Sequence, residues 1–394
     1  MMTKLRDWVV GFSLLGSTFL FAEKPNTVIA TIGVGDTPAG IAVTPNNLFA
    51  YVANNNNGGL PNGDSVSVLN LLYNTLQQTI HDSSFNEPYS VSINPAGTKA
   101  YVTNSNSTTV SIIDLATNTV VGTIGGFDGP SGLVITPDGN HAYVNNYGGP
   151  DGVGSGNGMT VRVVDLNTNE IVGSALTVGQ APAALAITPN GAYVYVVSYV
   201  DGNLGTGTIS IIRTSDNSVA LNAIIGFSGP FAIAMNPNGN YAYITNFGSN
   251  NFSPVGTTIS VVSTSSNTIV DTIILGIQPA GIAVTPDGSF AYVSNYSTIY
   301  NGVGFTELTP SQGTIDIIDL QTNAVISPII GVGFSPDAIT ISPNGQFAYV
   351  TNYSSNTVSV IALPSALYNI NRLRHLYSLQ RDKTITKLNQ AGLK

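Results

Sequence analysis

The chain has 394 residues, of which only 8% are charged, with 42 glycines, no cysteine and a formal charge of −9. The missing cysteine excludes a disulfide framework and any thiolate metal site. The acidic balance argues against binding nucleic-acid phosphates, and the Gly, Asn and Thr content suits short strands and turns better than helices.

Residues 1–22 differ in kind from the rest. Lys4 and Arg6 precede an apolar run from Trp8 to Phe21, and Ala22 can occupy the position before cleavage. That order is a secretory signal peptide, and the run is short for a bilayer span. Export to the periplasm, cell surface or medium is therefore expected.

Residues 23–363 form one repetitive body. Seven segments carry two prolines seven positions apart: 38/45, 88/95, 130/137, 182/189, 230/237, 279/286 and 336/343. Internal repeats of this size indicate a solenoid or a propeller. In the copy that starts at Pro279, Ile282 to Val284 read as a short strand and Pro286-Asp287-Gly288 as a turn. Phe290 to Asn295 return as a second strand, Thr314 to Leu320 form a third, and a fourth lies near Val325 to Ile330. An Asn recurs in every third-to-fourth turn or its equivalent: Asn26, Asn74, Asn118, Asn169, Asn217, Asn267 and Asn323. Asn tolerates the left-handed conformation that such a hairpin needs.

Four-stranded antiparallel meanders repeated radially make an all-β propeller, here of seven blades. Residues 25–35 nearly copy residues 117–127, a fourth-strand segment, yet no earlier strands precede them. The last repeat stops at Leu363 without a fourth strand of its own. The amino-terminal strand at 26–35 is therefore expected to complete the last blade and hide both sheet edges.

In such a meander the second-to-third loops share a face with the connections between blades. The other turns are tight, whereas five second-to-third loops are long and rich in Gly and Asn, as from Tyr147 to Gly158. Variable loops on a rigid scaffold are where binding resides. The residue opening the second-to-third loop is Tyr147, Tyr199, Phe247, Tyr296 and Tyr353 in blades three to seven, an aromatic arc expected to meet a protein, peptide or glycan. The alternative is that each ring packs against the neighbouring blade.

Asp36, Glu87 and Asp128 occupy the connections into the first three blades on the same face. Three converging carboxylates would suit Ca²⁺, and Asp151 and Asp201 are weaker candidates. No catalytic residues are assigned. His81, His141 and His375 fall in unlike positions, no Gly-x-Ser-x-Gly elbow stands out, and Gly33-Val-Gly35 ends a strand without opening a helix.

Residues 364–394 lose the strand pattern and hold six Lys/Arg against Asp382 alone, while the body holds four against nineteen Asp/Glu. Leu367, Ile370, Leu373 and Tyr377 are spaced as on an amphipathic helix. Docking onto the body's own acidic surface, onto a partner, or onto an anionic membrane are the options for this basic tail.

Tyr101-Val-Thr-Asn104 and Tyr349-Val-Thr-Asn352, with Tyr143-Val-Asn-Asn146, Tyr243-Ile-Thr-Asn246 and Tyr292-Val-Ser-Asn295, resemble the YVTN-repeat β-propeller family over residues 26–363. Blade four departs, with Tyr195-Val-Val-Ser198. The resemblance implies an exported or surface protein of bacteria or archaea, a binding or surface-layer module rather than an enzyme, with no shared catalytic signature. A more distant likeness to propeller lactonases and to amine dehydrogenase large subunits keeps open a hydrolase that uses carboxylates and a divalent cation at the channel mouth.

Overall fold

The computed structural model describes residues 25–56, 63–148, 158–199, 206–220, 223–248, 255–276, 278–296 and 312–364. The expected signal peptide, most of the glycine-rich loop after Tyr147, Asp151, Asp201, His375 and the tail helix lie outside these residues. Among the described residues, no helix is long and apolar enough to cross a membrane.

Each proline pair brackets the innermost strand of a blade, as Pro38 and Pro45 bracket Pro38–Val43. The strands form seven antiparallel sheets, and six of them run in chain order from the first strand to the fourth. In the seventh, Thr27–Gly33 pairs with Thr357–Ala362 from Thr27↔Ala362 to Gly33↔Thr357, so the expected closure is present. Ile32 then lies in the core between blades seven and one, with Val358 and Val360 on one side and Ile41, Val52 and Leu69 on the other. Blade four alone has a divided outer edge: Ser218–Val219 and Ile224–Ser228 both pair with Thr206–Arg213. All seven hairpin asparagines have φ between 52° and 58°, the left-handed conformation anticipated for them.

The Tyr-x-Thr-Asn motif explains how blades hold one another. Its tyrosines (Tyr51, Tyr101, Tyr143, Tyr195, Tyr243, Tyr292 and Tyr349) are the largest fully buried side chains among the described residues. A buried phenol needs a partner, and for four of them an Asn of the next blade supplies one. Tyr143 donates to Asn217 at 2.6 Å, Tyr195 to Asn267 at 2.6 Å and Tyr292 to Asn26 at 2.7 Å, and Tyr51 donates to Asn118.

The motif's third position bridges two blades. In six of the seven blades the first strand is irregular for two residues after its opening proline, which leaves backbone groups without a ladder partner there. Thr103 Oγ1 accepts from Ser90 N at 2.9 Å and donates to Ser131 O of the next blade at 2.8 Å. Thr245, Ser294 and Thr351 repeat this arrangement. Blade four has Val197 instead, and there Ala184 pairs with it directly.

The motif Asn ties the second strand to the third. Asn104, Asn246 and Asn352 donate to Ser111, Ser260 and Ser359 at 2.9–3.0 Å, and Asn295 donates to the buried carboxylate of Asp316 at 3.0 Å. The motif's polar side chains thus join blade to blade at Tyr and Thr and strand to strand at Asn.

Candidate binding cavity

The cavity is built on a backbone feature repeated seven times. The residue before each opening proline is left-handed: Thr37 (φ 45°), Glu87 (51°), Gly129 (56°), Ala181 (51°), Gly229 (53°), Gln278 (56°) and Ser335 (50°). A following proline disfavours the right-handed region, and the left-handed one costs non-glycine residues about 1–2 kcal/mol. This conformation aims each carbonyl at the N–H of the residue that follows the motif Asn. The bonds are 2.9–3.1 Å in all seven blades, from Asn55 N to Thr37 O through to Tyr353 N to Ser335 O. The rim residues are therefore held by main-chain bonds at one height around the channel.

Five of these rim residues are the aromatic arc anticipated from the sequence. Tyr147, Tyr199, Phe247, Tyr296 and Tyr353 all line a single cavity of about 240 Å³. Packing between the rings and opening toward a common space occur together. Tyr199 meets Phe231 edge-on at 6.4 Å, Phe231 and Phe247 are 5.3 Å apart, and Phe247 meets Tyr296 at 6.0 Å. The Tyr199 phenol also donates to Gly248 O at 2.8 Å, which fixes that ring.

Four further lining residues escaped the sequence reading: Tyr89, Ala183, Phe231 and Asp337. Each directly follows an opening proline, on the innermost strand. A signal for them exists. Around the ring this position reads Ala39, Tyr89, Ser131, Ala183, Phe231, Ala280 and Asp337, so two rings and one acid interrupt a series of small residues.

Asp337 sets the electrostatics. It lines the cavity half-buried, and the protein packed around it pushes the carboxyl up to about 6. Tyr89 is pushed well above the ordinary phenol range, first by burial and then by the charge of Asp337 and the nearby Tyr147, Tyr353 and Tyr296. Burial also raises Tyr147, Tyr296 and Tyr353, and takes Tyr199 to about 12. The cavity thus holds neutral phenols, apolar rings and one acid.

The three acids anticipated as calcium ligands are not brought together. Asp36 accepts from Asn356 Nδ2 at 2.8 Å. Glu87 is buried beside Asp64, whose carboxylate accepts the Glu87 N–H at 3.2 Å. Burial raises both of those carboxyls, and the charge of Asp64 raises Glu87 further. Asp128 is exposed, and its N–H donates to Asn146 Oδ1 at 3.1 Å. Among the described residues, no three His, Cys, Asp or Glu side chains gather around one metal position. Asp36 thus engages a local partner, Asp128 faces solvent and Glu87 is buried within its own connection. A larger hollow of about 590 Å³ lies at the opposite ends of the strands, beside the divided edge of blade four, between Arg213, Ser218 and Asn267.

Comparison with known proteins agrees with the fold. The model of the lactonase family of seven-bladed β-propellers matches residues 200–375. The seven-bladed β-propeller protein Rv1057 of Mycobacterium tuberculosis is 31% identical over 168 residues, 42% of this chain and 39% of that protein. The PE-PGRS family protein PE_PGRS18 of the same organism is 52% identical over 59 residues, 15% of this chain and 13% of that protein. The chain therefore matches less than half the length of either curated relative. Hydrazine synthase from Kuenenia stuttgartiensis superposes with a TM-score of 0.68 at 20% identity, covering 84% of this chain and 97% of that one, a likeness of fold.

Proposed function

We propose that this seven-bladed propeller is an exported, non-enzymatic binding module that takes a protein, peptide or glycan group into the aromatic cavity on its long-loop face. The observation that carries the reading is the convergence of seven aromatic rings from blades two to seven on one space. Rigid rings with polar tips offer contact area at low entropic cost, and apolar concavities with few polar groups are the usual form of ligand sites. The segments that follow the rim residues in sequence vary most in length from repeat to repeat, as recognition loops do.

The lactonase match over residues 200–375 favours a second reading, a hydrolase using carboxylates with a divalent cation such as Ca²⁺. It has less support, because the lining holds no histidine and one carboxylate, Asp337. Glycan and peptide arrays probed with wild type and with a Tyr199→Ala/Tyr296→Ala/Tyr353→Ala variant test the first reading. Hits that vanish in the variant, with its melting temperature retained, support it. Hits indifferent to the three rings overturn it, and turnover of lactones or esters that Asp337→Asn abolishes would establish the second.

A further inference from the structure

We propose that the channel-mouth cavity is a cage for an alkylated ammonium group, with Asp337 as its counter-charge. The inference rests on reading the cavity as a binding site and specifies the chemistry that enters it.

One wall is a continuous aromatic run, Tyr199–Phe231–Phe247–Tyr296, with neighbouring rings 5.3–6.4 Å apart. Tyr89 comes from blade two, three blades around the ring from Phe231, so rings face the space from more than one side. Aromatic faces carry negative potential and attract cations within about 6 Å of the ring centre. A primary ammonium would have to place three N–H donors on the few phenol and carboxylate oxygens of these walls, whereas a methylated one has little hydration to lose.

Charge selects the same ligand. Among the described residues, Asp337 is the one carboxylate in the lining, and no Lys, Arg or His accompanies it. The cations of the described body lie elsewhere: Lys99 and Arg213 at the opposite ends of their strands, and Arg162 within the third strand of blade three. Among the described residues no donor bonds the Asp337 carboxylate, while its main-chain oxygen accepts from Ser294. An anionic or acyl group would meet only repulsion and phenols, and a cation would meet an uncompensated carboxylate. Burial holds this carboxyl at about 6, so it is charged above neutrality, and the groups facing it, Tyr89, Tyr296 and Tyr353, are neutral phenols there.

Calorimetry on the full chain at pH 7.5 tests this with choline and its uncharged isostere, 3,3-dimethylbutan-1-ol. Choline should bind about tenfold more tightly or better, a ratio that cation–π and ionic contacts in a dry site supply. Asp337→Asn should reduce that ratio to within about twofold without lowering the melting temperature, and Phe247→Leu should weaken choline more than the alcohol. A trimethyl-lysine peptide against the same peptide with norleucine shows whether the ammonium is presented on a protein or a small molecule. Equal affinities, a ratio unmoved by Asp337→Asn, or no binding of either ammonium probe at millimolar concentration overturns the cage. In those cases ring-dependent hits on the arrays would leave the binding-module reading intact.

Discussion

Tyr292 donates its phenolic hydrogen to Asn26 at 2.7 Å across 266 residues of sequence. Elsewhere the accepting Asn sits in a hairpin, whereas Asn26 directly precedes the closing strand Thr27–Gly33. It still takes a φ of 58°, and its own N–H donates to Ala362 O at 2.8 Å. The inter-blade bond is thus kept at the one place where the ring is joined without a covalent link.

Tyr292→Phe and Asn26→Gly should each destabilise the protein by about 1–2 kcal/mol, since each orphans or deletes one side of a buried bond while glycine retains the backbone conformation. The double variant should lose less than the sum, with a coupling of about 1 kcal/mol in urea titrations. Strict additivity would show that the bond does not join the ring.

Deleting residues 25–35 should cost more than any point substitution. It strips the outer strand from Thr357–Ala362 and opens the core around Ile32, leaving an exposed strand edge. Sedimentation should show association or aggregation, and a synthetic 25–35 peptide added in trans should restore a monomer. A truncated chain that stays monomeric with an unchanged melt would contradict closure by this strand.

Seven blades, the borrowed strand and the left-handed asparagines were legible in the sequence, because each rests on local turn chemistry or a fixed interval. The aromatic arc was legible because each rim residue follows the motif Asn, whose place in the blade was known. Phe231 and Asp337 were not, because their meeting depends on ring closure, and single blades tolerate Ala or Ser at that position. The acids misled for a related reason. The Asp36 carboxylate is held by Asn356 and the Glu87 main chain by Asp64, and neither partner is a neighbour in the repeat pattern.

The motif threonine should prove a structural bridge. Thr351 accepts from Ala338 N at 3.0 Å and donates to Ala39 O at 2.8 Å, fully buried. Thr351→Val preserves shape but orphans both groups, for an expected loss of about 2–3 kcal/mol. Thr351→Ser should lose less than about 1 kcal/mol, since Ser294 already performs the same task in blade six. Equal losses for the two would assign the effect to packing.

The left-handed connections offer a stability test of opposite sign. Thr37 is β-branched at φ 45°, so Thr37→Gly should raise stability by up to about 1 kcal/mol while the Asn55 N–H bond to its carbonyl remains. Gly129 holds the same role in blade three, where a Cβ would lie 2.3 Å from Gly148 O. Gly129→Ala should therefore lose more than about 1 kcal/mol. Thermal melts that move both variants the same way would refute the strain argument.

Asp337 ties stability to pH, and the sign follows from its direction of shift. Burial raises its folded pKa to about 6 from an ordinary 3.8, so between these values the folded protein holds more protons than the unfolded chain. Stability then falls as pH rises through that window and levels above it. The penalty at pH 8 is at most about 3 kcal/mol, and less to the extent that channel water solvates the carboxylate. Asp337→Asn removes it, so the variant should melt above wild type at pH 8 and together with it near pH 4. The raised Asp64 and Glu87 carboxyls act in the same direction in both proteins, so the difference between the two melting curves isolates Asp337. A difference that stays constant from pH 4 to pH 8 would show that the carboxylate is not held at a cost, and with it would go the reason for a cation to seek this cavity.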